Sequence, residues 1–281
     1  MTAHEMVARV RNLPPISHAA LKLVSLLDHP DAGNEEVVSV LKNDSALTAK
    51  LLRGCNSPAV GLAEKVTSVD QAVLILGHNQ ILQMVTALAF GGAMSVQLPG
   101  YAIEAEELWR HSLIAAAGAE IIVKDNEELG EPSVAFTVGM LHDIGKLVMS
   151  QFLTEEAQAA VRARVAAGQA TADAEREVLG TDHAEVGACL LYLWRLPEEI
   201  VEAVANHHQP TIEPKPRLSS VAHVANCLAH LAGASPGWEA YALRGDERVV
   251  KLLSIDAEKL DRMIISVRDS FERVNQFMKM S

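Results

Sequence analysis

Between Val134 and Phe152 the chain is mainly Val, Leu, Met, Ile and Phe, yet it carries Leu141-His142-Asp143-Ile144-Gly145-Lys146 at its centre. A run of that kind has to be buried. An uncompensated carboxylate in an apolar interior is costly, so a cation, a metal or strong donors must meet it. Any fold open to this chain therefore has to deliver partners to Asp143. Neutral imidazole beside carboxylate is also a ligand pair that hard and borderline divalent metals accept. The other ten histidines are accordingly read as candidate partners.

The material available is helical. Of 281 residues 49% are hydrophobic and only 4% aromatic, with Ala, Leu and Val dominant, which favours helices packed on helices over a β-sandwich. Capping residues open short amphipathic runs at close intervals. Ser17 precedes HAALKLVSLLD, which stops at His29-Pro30; Asn34 opens EEVVSVLKN; Asp44 precedes SALTAKLLRGCN; Ser68 precedes VDQAVLILG, with Gly77 as its stop. Residues 91–102, GGAMSVQLPGYA, read as a linker. Longer runs follow at Glu104–Val123, Ser133–Phe152, Thr154–Ala167, Asp182–Leu196, Pro197–His208, Leu218–Leu231 and Ala257–Met278. Alternating strand patterns are missing. The expectation is an all-α protein, with an N-terminal helical bundle over 1–95 packed on a second helical subdomain over 96–281.

A net charge of −12 argues against a nucleic-acid surface, which needs Lys and Arg to replace counterions. Three separated cysteines, Cys55, Cys189 and Cys227, do not suggest a disulfide framework, and Cys189 and Cys227 read as small core residues. The first residues lack the apolar core of a signal peptide, and no stretch of eighteen apolar residues occurs. A soluble, cytoplasmic protein without a membrane partner is expected.

The histidines permit two arrangements. In one, His111, His142, Asp143 and Asn226 surround one metal and His183, His207 and His208 a second; two ions sharing a carboxylate would clamp a phosphate and activate a water. In the other, Asp143 pairs with Lys146 one turn on, and the histidines bond to backbone and to each other. Spacing alone leaves both open. Glu107, four residues before His111, shares its helix face and is a candidate outer carboxylate or ligand. Trp109 either covers the site or packs in the core.

The string His111…His142-Asp143…Lys146 resembles the HD superfamily of metal-dependent phosphohydrolases, and DHAEVG followed by NHHQP resembles its cyclic-dinucleotide phosphodiesterase branch. LPPIS at 13–17, the segment from Lys42 to Gly61 and VTSVDQAVLILG at 66–77 resemble an HDOD domain, the HD-related output domain of bacterial signalling proteins. The resemblance spans roughly 10–230 and makes the second subdomain HD-like. It implies a metal site at His111, His142, Asp143, His183, His207 and His208, holding one or two divalent ions such as Fe, Mn, Mg, Zn or Ni. Asp143 and Lys146 would be the catalytic pair if the site is active. Two departures matter. The active enzymes close the site with an Asp in a VAD-type string, where this chain has Val224-Ala225-Asn226; and the loop QPTIEPKPRL lacks the phosphodiesterases' Gly-Tyr-Pro signature. The resemblance thus implies a signal-transduction output module that binds metal without being an efficient hydrolase, with response regulators or kinases as partners. The alternative is a metal-dependent phosphohydrolase acting on a nucleotide or cyclic dinucleotide.

Overall fold

The computed structural model describes the chain except residues 14–15, 27–33, 59, 211, 213–216, 239–244 and 281. The expected stop at His29-Pro30, the prolines of LPPIS and part of the QPTIEPKPRL loop lie outside the described residues. Those described are all-α; their nearest approach to a sheet is one isolated bridge, Leu98 to Ile103. Among them no single helix is long and apolar enough to cross a membrane.

Sixteen α-helices are defined among the described residues. The first six are α1 (Ala3–Arg9), α2 (His18–Ser25), α3 (Asn34–Lys42), α4 (Ser45–Cys55), α5 (Val69–Leu76) and α6 (His78–Met94). The central set is α7 (Glu107–Lys124), α8 (Pro132–Leu141), α9 (Lys146–Met149), α10 (Glu155–Ala166) and α11 (Thr171–Leu179). The last are α12 (His183–Leu193), α13 (Glu198–Ala205), α14 (Leu218–Leu231), α15 (Glu247–Leu252) and α16 (Ala257–Met280). Of the openers read from sequence, Ser17, Asp44 and Ser68 each accept a backbone N–H from the first turn of α2, α4 and α5, and Asn34 is the first residue of α3; Thr154 and Asp182 cap α10 and α12 in the same way.

Two apolar cores result. One gathers α2 to α6 around Leu23, Val37, Leu41, Leu51, Val73 and Ile81. The larger is built on α7, which packs along α8 and α14, and is completed by α9, α12, α13 and α16. Helix α6 belongs to both, since Val85 and Leu88 face the first and Phe90 and Met94 the second. Helix α1 packs on α9 and α12 and contributes Met6 and Val7 to the larger core.

Three sequence expectations are corrected. Residues 91–94 continue α6 rather than open a linker, because Phe90, Gly91, Ala93 and Met94 are buried against the larger core, and packing outweighs the poor helix propensity of glycine. The run Ser133–Phe152 is not one helix. It breaks after Leu141 into tight turns, with Ile144 N bonding to Leu141 O and Lys146 N to Asp143 O, both at 3.0 Å. A helix over residues 171–179, absent from the expected set, forms as α11.

Candidate metal centre

The break between α8 and α9 turns Asp143 inward and lets Gly145 touch α12, where a β-carbon would stand 2.0 Å from His183 O and 2.6 Å from Gly187 N. Four elements then converge on Asp143. Helix α7 brings His111, the end of α8 brings His142, the start of α12 brings His183, and the turn after α13 brings His207 and His208. The carboxylate is 1% exposed, while His111, His142, His183 and His207 are fully buried.

The distances divide the cluster into two halves that share Asp143. His111 Nε2 and His142 Nε2 each lie 3.5 Å from Asp143 Oδ2, and 3.2 Å from one another. Across the carboxylate, His183 Nε2 lies 3.3 Å and His207 Nε2 3.9 Å from Oδ1, with His208 Nε2 2.7 Å from His183 Nε2. Both triplets, His111–His142–Asp143 and His183–His207–His208, hold candidate ligand atoms within 4.8 Å of one another. Lys146 Nζ donates to Asp143 Oδ2 at 2.7 Å.

The far nitrogens decide which of the two sequence arrangements is present. Nδ1 of His111, His142 and His207 faces the carbonyls of Ala234, Gly139 and Val204 at 2.7–2.8 Å. A carbonyl only accepts, so each Nδ1 carries the proton and each Nε2 of a neutral ring is a bare lone pair. Burial pushes the pKa of His111, His142, His207 and His208 below the usual imidazole range, and the neighbouring rings push His207 and His208 further. The backbone bonds and the Asp143–Lys146 pair of the second arrangement are thus real. They leave the inward lone pairs of the first intact.

His183 differs. Burial pushes it down, but the Glu175 charge and hydrogen bonds to Asp143 and Glu175 outweigh this and hold it up at about 10. Asp143 sits well below the usual carboxylate range: burial opposes ionisation, and the positive charges of Lys146 and His183 beside it overcome this. Even so, Asp143 Oδ1 is met only at 3.3 Å by His183 Nε2, in poor hydrogen-bond geometry, and His207 Nε2 and Asn226 Oδ1 are buried with no hydrogen-bond partner among the described residues. Orphaned acceptors beside converging lone pairs are what a divalent cation would satisfy, so the donor set fits one.

Asn226 lies on α14, midway between two histidines on one helical face. His223 Nδ1 donates to His207 O at 2.8 Å, and the His230 ring stands 4.8 Å from that of His111. The Glu107 expectation is corrected: its carboxylate is exposed and caps Glu104 N at 2.8 Å, because α7 begins there at the surface. Trp109 is a core residue at 5% exposure. Cys189 and Cys227 are only half-buried, and burial pushes both thiols up, Cys227 to about 11.

Sequence reasoning missed Glu175, Tyr101 and His230. Glu175 is fully buried and accepts from His183 N at 2.9 Å and from His183 Nδ1 at 2.7 Å, while Tyr101 OH donates to its other oxygen at 2.8 Å. The only available signal for His230 was its spacing, seven residues after His223 on one face.

Known proteins share this architecture. A crystal structure from Shewanella amazonensis whose name places it among phosphohydrolases is 24% identical, with 97% of each chain covered and a TM-score of 0.71. A signal transduction protein by name, from Marinobacter aquaeolei, gives a TM-score of 0.74 at 20% identity over 99% of this chain and 64% of its own; at these identities both show the fold. An HDOD domain protein of Geobacter sulfurreducens is 26% identical over 95% of this chain and 87% of its own, with a TM-score of 0.64. Among curated proteins, an uncharacterised protein of Treponema pallidum is 24% identical over 83% of this chain, which spans 45% of that relative's length. Residues 13–210 match the HDOD domain, and the chain therefore belongs to the HDOD family.

Proposed function

We propose that this protein is a cytoplasmic signal-transduction output module built around a divalent-cation centre, and that the centre serves structure or signalling rather than efficient hydrolysis. One observation carries the metal reading: four imidazoles have Nδ1 engaged by acceptors and aim Nε2 at one shared carboxylate. His111, His142 and Asp143 would hold one ion, with Asn226 as a further oxygen donor, and His183, His207, His208 and Asp143 the other. Neutral nitrogen with a single carboxylate suits Fe, Mn, Zn or Ni better than Mg. Such ions supply Lewis acidity and lower the pKa of a bound water.

Two features support the non-hydrolytic reading. Asn226 brings no charge to its half, and the ligating groups other than His208 are closed from solvent at 0–1% exposure apart from Asn226. Family membership supports signalling proteins, such as response regulators or kinases, as partners. The second reading, a phosphohydrolase acting on a nucleotide or cyclic dinucleotide, is favoured by the full histidine set together with Lys146. There Asp143 would orient both halves, and Lys146 would hold a positive charge beside it.

Protein purified without chelator should contain one to two equivalents of transition metal by elemental analysis, and Asp143→Ala should contain none. A metal-free wild type would overturn the cation centre. A panel of phosphomonoesters, nucleotides and cyclic dinucleotides with added Mn²⁺ or Fe²⁺ should show no turnover. Turnover that disappears in Asp143→Ala would establish the hydrolase instead.

A further inference from the structure

Glu175 is a fully buried carboxylate, and its hydrogen bonds lead on one side to His183 and on the other to Tyr101, in the turn between α6 and α7. It stands on α11, which Gly180 ends with φ 85°, and Asp182 then caps α12 so that His183 is the first residue of that helix. One oxygen, Oε2, accepts both the backbone N–H and the ring Nδ1–H of His183. A carboxylate that grips two donors of one residue fixes the ring's rotation as well as its place, which directs Nε2 at Asp143 and His208. The other oxygen accepts from Tyr101 OH at 2.8 Å. Burial pushes Glu175 up, and the His183 charge with the hydrogen bonds from His183 and Tyr101 outweighs it, holding the group ionised.

Tyr101 is itself immobilised. It closes the short 3₁₀ turn Pro99–Tyr101 between α6 and α7, and the neighbouring Gly100 N donates to Ser150 Oγ at 3.1 Å. Its carbonyl lies so close to Gly237 that a β-carbon there would stand 2.3 Å away, and the Trp238 ring meets its ring edge-on at 5.7 Å. The hydroxyl lies against Glu175 Oε1 at 2.8 Å and Met149 Sδ at 3.6 Å, of which the carboxylate is much the stronger acceptor.

We propose that Glu175, braced by Tyr101, is a positioning residue that sets the cation affinity of the His183–His207–His208 half. The inference rests on the metal reading above and adds which residues tune one half of the site. A carboxylate on the far nitrogen of a ligating imidazole fixes its tautomer and raises its basicity, and loss of such a partner lowers metal affinity about 10- to 100-fold.

The test uses the full chain, stripped with chelator and titrated with Co²⁺ alone, followed by calorimetry and by visible absorption of the bound ion. Wild type should show two binding steps. Glu175→Gln should weaken one step about 10- to 100-fold and leave the other unchanged, and Tyr101→Phe should weaken the same step by a smaller factor. A purely structural role would instead lower the melting temperature of the metal-free protein and weaken both steps together. Glu175→Gln titrating like wild type, or losing both steps equally, overturns the proposal while leaving the cation centre standing. A wild type that takes up no Co²⁺ overturns both. Should Glu175→Gln fail to fold, Tyr101→Phe decides, and an unaltered first and second step in that variant overturns the relay.

Discussion

Asn226 is the residue at which this centre departs most from a balanced metal site. Its amide oxygen is buried with no hydrogen-bond partner among the described residues, on the helical face between His223 and His230. A neutral amide oxygen binds a divalent cation more weakly than a carboxylate, since it offers a dipole and no charge. Asn226→Asp should therefore tighten the cation step belonging to His111 and His142 by tenfold or more, about 1.4 kcal/mol. The sign reverses in the cation-free protein. There the new carboxylate joins Asp143 in the same interior, and a second buried anion costs stability unless it is neutralised. Metal-free Asn226→Asp should melt below wild type and metal-loaded Asn226→Asp above it, a crossover that thermal denaturation with and without chelator detects. Equal shifts under both conditions would mean that Asn226 does not face the ions.

At the scale of elements, the break between α8 and α9 places the site. Gly145 lies where α12 crosses, and a β-carbon at that position meets backbone atoms of His183 and Gly187, which no rotamer change relieves. Gly145→Ala should destabilise the fold by about 3 kcal/mol, the upper end of overpacking costs, and should weaken cation uptake by displacing His183. Urea denaturation and metal titration check the two effects, and a stable variant with normal uptake contradicts the crossing. That break also marks a limit of sequence reading. A continuous apolar run around 133–152 is compatible with a buried helix or with buried turns, because periodicity cannot separate them. The caps at Ser17, Asp44 and Ser68, by contrast, were legible, because each acts through a bond to the adjacent turn. Helix α11 escaped because TADAEREVL offers no broad apolar stripe, and with it went Glu175. The histidines and Asp143 were readable as chemistry. Their remote supports were not, since Ala234 lies 123 residues from His111, and Tyr101, which holds the Glu175 partner of His183, lies 74 residues from Glu175.

Over the whole molecule, the buried imidazoles make stability depend on pH in opposite senses on the two sides of neutrality. His111, His142, His207, His208 and His223 all have a pKa lowered from 6.5, chiefly by burial. Below 6.5 the unfolded chain therefore binds protons that the folded protein refuses, and stability falls as the medium is acidified. Asp143 and Glu175, lowered in the folded state, add to that loss at still lower pH as the unfolded chain takes up their protons. His183 acts the other way. Its folded value of about 10 against 6.5 means that the folded protein keeps a proton the unfolded chain has released, so its contribution is complete below 6.5 and disappears as pH rises through 10. One proton corresponds to about 1.4 kcal/mol per pH unit. Chelator-treated protein should thus be most stable near pH 6.5, with a steep acid side and a shallow alkaline side, as followed by urea denaturation from pH 4 to 10. A cation bound through His183 Nε2 must displace the extra proton. Loading should therefore flatten the alkaline slope and release about one proton near pH 8, which calorimetry in two buffers of different ionisation enthalpy would measure. A slope that persists unchanged in the loaded protein would remove His183 from the ligand set, because a ring cannot hold both a proton and an ion on one nitrogen.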